Sequence, residues 1–192
     1  MSKAKSKTLE PRRPLPGEPG LSVAIDRMIR VDQAGEYAAA RIYDGQLAVL
    51  GEKHRTAPTI RRMRKQEQRH LDVFDDLVAR RGTRPTALQP IWNIAGYALG
   101  ALTALMGEKA AMACTVAVEE VIEEHYEAQR RKLKSWQVEP ELEATIAEFQ
   151  ADEVEHKTTA IDAGAQEAAG YRLLAGTIRV GCRTAIWLSK RI

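Results

Sequence analysis

The chain has 192 residues, 44% hydrophobic and 29% charged, which is enough for one domain with a substantial core in a soluble or peripheral protein. A net charge of +3 is too small to indicate nucleic acid as a partner. The only cysteines, Cys114 and Cys182, lie in apolar stretches, so a disulfide framework is excluded and a reducing compartment fits.

Residues 1–20 are rich in Lys, Arg, Pro and Gly without apolar periodicity, and they read as a disordered basic arm with no secretory h-region. From residue 21 to 192 a single all-α domain is expected. The first helix runs from Ser22 as N-cap to Gly51, and the second from Pro58 to Gly82. After a loop with Pro85 and Pro90, a third covers Ile91–Met106. The fourth spans Glu108–Leu133, the fifth Pro140–Gln166 and the sixth Tyr171–Arg191. No strand alternation is present.

Four of the helices carry inward stripes with alternating steps of three and four. These are Ile25, Ile29, Asp32, Glu36, Ala39, Tyr43, Gln46 and Leu50 in the first, and Ile60, Met63, Glu67, His70, Phe74 and Leu77 in the second. The fourth has Met112, Val116, Glu119, Glu123 and Tyr126; the fifth has Leu142, Ile146, Phe149, Glu153, His156, Ala160 and Ala163. Each stripe is apolar at its ends and acidic, or acidic with histidine, in the middle. The pattern occurs twice: Glu36 precedes Glu67-x-x-His70, and Glu119 precedes Glu153-x-x-His156. Two related helical hairpins joined by the third helix are therefore expected.

A carboxylate taken out of water costs several kcal/mol unless it is paired or bound to a cation. No Lys or Arg occupies these stripes. Two divalent cations would supply the missing charge. Glu and His at i and i+3 share a helical face and can reach one ion. A carboxylate from each of two helices plus Glu-x-x-His from two others is the arrangement of di-iron and di-manganese carboxylate bundles. The expected ligands are Glu36, Glu67, His70, Glu119, Glu153 and His156. So oxygen-rich a set argues against structural zinc; iron is preferred and manganese is the alternative. Glu120 and Glu155 should point away, Glu123 is a weaker ligand candidate, His54 should be exposed, and Asp32 should stand behind the ligands.

The stretches Arg30–Tyr37, Gln66–His70, Pro90–Asn93, Ala111–Glu120, Asp152–His156 and Gly181–Ser189 closely resemble the demethoxyubiquinone hydroxylases. The likeness runs from about Val23 to the C-terminus. It implies a ferritin-like four-helix bundle with two additional helices. It also implies a di-iron monooxygenase that uses O2 to hydroxylate a polyprenyl-methyl-methoxy-benzoquinol in ubiquinone biosynthesis. Two iron ions, electrons ultimately from NADH, and His125 and Tyr126 close to metals and quinone come with it. So does a lipid-binding helper protein as partner; a homo-oligomer is an open alternative. No Gly-rich dinucleotide fingerprint appears.

A polyprenyl substrate brings the protein to a membrane. Ile91–Gly107 has no charged residue but falls short of the roughly twenty residues a spanning helix needs. The sixth helix mixes Leu173, Leu174, Ile178, Ile186, Trp187 and Leu188 with Arg172, Arg179, Arg183, Lys190 and Arg191, which suits a helix lying on anionic lipid. The expected location is peripheral, on the cytoplasmic face of a bacterial membrane or the matrix face of the mitochondrial inner membrane. The competing readings are a ferroxidase or other di-iron oxidase on the same bundle, and a lipid-binding scaffold with a structural metal site.

Overall fold

Breaks in the helical backbone set the architecture of this computed structural model, which describes residues 19–192. The arm expected over 1–20 lies, apart from Pro19 and Gly20, outside the described residues. Among the described residues there are six α-helices and no strand. They are α1 (Leu21–Leu50), α2 (Ala57–Arg81), α3 (Gln89–Leu105), α4 (Glu108–Trp136), α5 (Pro140–Asp162) and α6 (Tyr171–Ser189), with a 3-10 turn at Ala165–Glu167. The all-α expectation holds.

Several helix ends differ from the sequence reading. Ser22 lies inside α1, whose N-cap is Gly20; Ala24 N donates to Gly20 O at 3.0 Å. Helix α4 continues three residues past Leu133. Gln137 then adopts a left-handed conformation (φ 56°), and Val138 N returns to Leu133 O at 3.4 Å. A non-glycine cap of this kind gives no glycine to read. Helix α5 stops at Asp162, not Gln166, because Gly164 turns the chain with φ 86°.

Helices α1, α2, α4 and α5 form the bundle. One apolar layer contains Tyr43, Ile60, Met63, Met112, Val116 and Ala160. The other contains Ile25, Ile29, Phe74, Tyr126, Ile146 and Phe149. The acids and histidines lie between them, walled off from water along the bundle axis. The α2 stripe ends on buried Val78, with Leu77 half-buried, as expected when 3.6 residues per turn drifts against a strict heptad. Leu50 and Ala163 are half-buried too.

The additional helices pack outside. Helix α3 crosses α1 with its backbone almost in contact. A Cβ on Gly100 would fall 1.9 Å from Ile42 O, and one on Gly45 2.1 Å from Tyr97 O. No larger residue fits there without moving a helix. Helix α6 lies on α4 through Ala175 and Ile178 against Cys114, Ala117 and Val118. Trp92 Nε1 donates to Ser189 Oγ at 3.0 Å and ties the start of α3 to the end of α6. No described helix is long and apolar enough to cross a membrane. The outer face of α3 nevertheless exposes Ile94, Leu102, Leu105 and Met106, each at least 60% accessible.

Candidate metal centre

Six side chains meet in the middle layer. Helix α1 brings Glu36, α2 brings Glu67 and His70, α4 brings Glu119, and α5 brings Glu153 and His156; none is more than 1% exposed. They form two groups, Glu36–Glu67–His70–Glu153 and Glu67–Glu119–Glu153–His156. Within each, one ligand atom per residue lies within 4.8 Å of the others. Glu67 and Glu153 belong to both groups, so two adjoining sites share two carboxylates. Both histidines point Nδ1 inward. His70 Nδ1 lies 3.3 Å from Glu36 and 3.3 Å from Glu153, and His156 Nδ1 lies 3.0 Å from Glu67 and 3.2 Å from Glu153.

Among the described residues no Lys or Arg forms an ion pair with these four acids; only the two histidines pair with them. Both oxygens of Glu67 and of Glu153, Glu119 Oε2 and His156 Nδ1 are buried without a hydrogen-bond partner among the described residues. Burial, reinforced by the neighbouring acids, pushes the Glu67 and Glu119 carboxyls well up, and Glu153 up to about 7. Burial alone would also raise Glu36, but bonding with His70 brings it below its ordinary value. Burial opposes charge on His70, yet Glu153 and Glu36 lift it to about 10, so it carries the layer's positive charge when no metal is bound. Burial lowers His156. Orphaned carboxylate oxygens and an inward imidazole nitrogen are what an oxygen-rich pair of divalent cations requires.

An outer ring fixes the six side chains. Asp152 accepts from His70 Nε2 at 2.9 Å and is itself held by Arg69, while Gln66 Oε1 lies 3.2 Å from His156 Nε2. Gln66 and Asp152 each immediately precede the Glu of one Glu-x-x-His copy, and each serves the histidine of the other copy. Sequence reasoning did not pick out this cross-brace, although the repeat places both residues at the same offset. It also left Tyr43 as core. The Tyr43 hydroxyl donates to Glu119 at 2.8 Å, and the Tyr126 hydroxyl donates to Glu36. Phe149 stacks on His70 with ring centroids 3.9 Å apart.

One turn from Glu36, Asp32 is buried and faces His125 and Gln129. Gln129 Nε2 lies 2.7 Å from Asp32 Oδ1 and 2.8 Å from His125 Nε2. Burial raises the Asp32 carboxyl, opposed by bonding to His125. Gln129, like Tyr43, was not singled out. Glu120 and Glu155 do point away, to Arg179 and Arg62 at 2.6 Å each. Glu123 pairs with Lys157 and is absent from both groups, because one turn beyond Glu119 the stripe has rotated toward α5's outer edge. His54 is half-buried, not exposed, and its Nδ1 lies 2.8 Å from Thr56 Oγ1 at the start of α2.

An apolar cavity reaches this layer from outside. It runs between α1, α4, α6 and the start of α3, walled by Ile42, Val118, Ile122, Trp92 and Ile186, with Glu36, Asp32, His125 and Tyr126 also lining it. Cys182 is on its wall, and burial pushes that thiol up to about 11, which leaves it protonated.

Fold and site together define a ferritin-like bundle with a carboxylate- and histidine-lined centre of the kind that holds two metals. The family model described as ubiquinone biosynthesis protein COQ7 matches residues 23–189, and the chain belongs to that family. It is 50% identical over 186 residues to the 3-demethoxyubiquinol 3-hydroxylase of Rhodospirillum rubrum, covering 97% of this chain and 86% of that one. It is 51% identical over 170 residues to the mitochondrial NADPH-dependent 3-demethoxyubiquinone 3-hydroxylase of Mus musculus, covering 88% and 78%. The mitochondrial 5-demethoxyubiquinone hydroxylase of Saccharomyces cerevisiae is 40% identical over 182 residues, covering 88% and 78%.

The electrostatics give a stability test in metal-free protein. A carboxyl raised by folding contributes stability below its unfolded pKa, and that contribution is lost as pH rises through the folded value. Glu67→Gln removes one repelling acid while keeping its shape. Its melting temperature should exceed that of the parent at pH 8, by about 2–4 °C for each kcal/mol relieved. At pH 5 the difference should shrink. A variant no more stable than the parent at pH 8 contradicts the repulsion.

Proposed function

We propose that this chain is an oxygen-dependent di-iron monooxygenase that hydroxylates the ring of a polyprenyl-methyl-methoxy-benzoquinol, demethoxyubiquinol, in ubiquinone biosynthesis. The observation that carries the reading is the juxtaposition of a layer of orphaned acids with an apolar cavity that ends on it. A ferroxidase has no need of a ring-sized apolar cavity, and a scaffold has no need of both complete ligand groups. The curated relatives are named for hydroxylation of the same quinone nucleus.

In this reading Glu36 and His70 would hold one iron and Glu119 and His156 the other, with Glu67 and Glu153 available to both. Bound iron supplies the activation of oxygen. The chain's own residues do the rest. Asp152 and Gln66 fix the imidazoles so that Nδ1 faces inward. Tyr126 and Tyr43 orient Glu36 and Glu119. The flanking apolar layers exclude water. A ring bound in the cavity would lie beside His125, Tyr126 and Glu36, which line it. One oxygen atom enters a ring C–H bond; the other leaves as water, with two protons and two electrons from a reductant. The reductant is a nicotinamide dinucleotide, NADH as the family resemblance implies; the Mus musculus relative is named for NADPH.

With iron, 18O2, a chemical reductant and a short-chain demethoxyubiquinol, the product should gain one labelled oxygen by mass spectrometry. Glu119→Ala and Glu153→Ala should each give no product with helical circular dichroism retained. Normal turnover by either variant would remove it from the ligand set.

We place the protein on a membrane surface, cytoplasmic in a bacterium or matrix-facing in a mitochondrion. The support is the exposed apolar face of α3 with Leu173, Val180 and Trp187 on α6. That face is equally available to the lipid-binding helper protein that the resemblance implies. The arginines of α6 contribute less than their number suggests, since Arg179 and Arg183 pair with Glu120 and Glu124 on α4. Leu102→Glu combined with Leu105→Glu should lower co-flotation with phosphatidylglycerol liposomes several-fold at unchanged iron content. Undiminished flotation would take α3 out of the contact.

A further inference from the structure

A second cavity adjoins the first on the other side of His125, and its character is opposite. It lies between the start of α1, the second half of α4 and the end of α6. Its rim carries four cations, Arg27, Lys132, Lys190 and Arg191. Trp136 forms part of its wall, and His125 and Gln129 line it as well. Among the described residues no carboxylate lines it, and none of the four cations forms an ion pair with an acid. Arg191 instead packs over the Trp187 ring at 3.9 Å. Among the described residues the neighbouring acids are engaged elsewhere: Asp26 with Arg81, Glu124 with Arg183, and Glu127 with Arg130 and Arg131. The backbone oxygen of Ile192 accepts from Ala87 N at 3.3 Å. Asp32 is the acid closest in effect, and it stands behind His125 and Gln129.

We propose that this basic cavity is a docking site for a phosphate-bearing ligand, and that its occupant is the nicotinamide dinucleotide reductant, held by its phosphates. Cations gathered around a concave site without a counter-charge repel one another, and a phosphate ester relieves that repulsion through several charge-assisted hydrogen bonds. Lys190 records the strain: burial, then the charges of Lys132 and Arg191, lower its pKa. Trp136 offers a flat face for a base or nicotinamide ring. His125 lines both cavities, so a ligand anchored by its phosphates here meets the same imidazole that faces the acid layer. Such a site needs no Gly-rich loop, which accounts for a nucleotide-dependent family member without that fingerprint.

Phospholipid headgroups share the phosphate chemistry, and the site lies at the end of α6, so the test separates the two sources. The identity of the occupant, though not the phosphate site, rests on the oxygenase reading. Equilibrium dialysis of the full-length, iron-loaded protein would measure binding of NADPH and NADH, with inorganic pyrophosphate as competitor. The variant is Lys132→Glu with Lys190→Glu; Lys53→Glu with Lys65→Glu changes net charge equally on the far surface. Iron content and circular dichroism confirm that each variant is folded. Dinucleotide Kd should rise about tenfold or more in the cavity variant and stay within about twofold in the control. Pyrophosphate should compete, and binding should weaken with salt. Equal dinucleotide binding by parent and cavity variant, or none by the parent, overturns the proposal. Loss of binding only to phosphatidylglycerol vesicles also overturns it, in favour of lipid. Chemically reduced parent protein that fails to hydroxylate quinol would sink the oxygenase reading while leaving the dialysis result standing.

Discussion

Four carboxylates, Glu36, Glu67, Glu119 and Glu153, lie in one layer of the bundle interior with at most 1% of any of them exposed. At several kcal/mol for each ion taken from water, ionising all four without compensation would consume the roughly 5–15 kcal/mol that stabilises a domain. The metal-free protein meets this in two ways. It favours the protonated forms of Glu67 and Glu119, and it keeps His70 charged between Glu36 and Glu153. Cations would displace those protons, so metal affinity and proton release are linked.

The rest of the fold serves that layer. Apolar side chains seal it on both sides along the bundle, and the Gln66 and Asp152 cross-brace stops either imidazole from rotating its Nδ1 away. The two braces are chemically unequal. His70 faces a carboxylate held by Arg69, while His156 faces a neutral amide. A carboxylate raises the basicity of its imidazole more than an amide does, so the two halves of a sequence-symmetric site are electronically distinct. The bundle also leaves a lateral entry, the apolar cavity beside α6, where α1 presents Ala34, Ala38 and Ala39 rather than large side chains.

Much of this was legible in the sequence. The doubled Glu and Glu-x-x-His pattern places six groups on four stripes, and the helices carry all six into one layer. Periodicity fails where geometry at right angles to the stripe decides. Gln66, Asp152 and Gln129 lie beside the inward positions, and only the approach of a neighbouring helix shows what they touch. Glu123 was in register by heptad, yet 3.6-residue turns swing it to Lys157. The sixth helix looked basic by composition, but ion pairs to α4 occupy two of its arginines, a contact that no one-dimensional pattern reveals. The glycines of α3 serve packing: they let α3 press against the α1 backbone while leaving its apolar outer face free.

We propose that the buried acids serve to bind a pair of cations. Anomalous diffraction at the iron edge from crystals grown with ferrous iron tests it most directly. Two peaks about 3.5–4 Å apart are expected, flanked by Glu36 and His70 on one side and Glu119 and His156 on the other. A single peak, or iron found only on surface carboxylates with the interior layer empty, would contradict it.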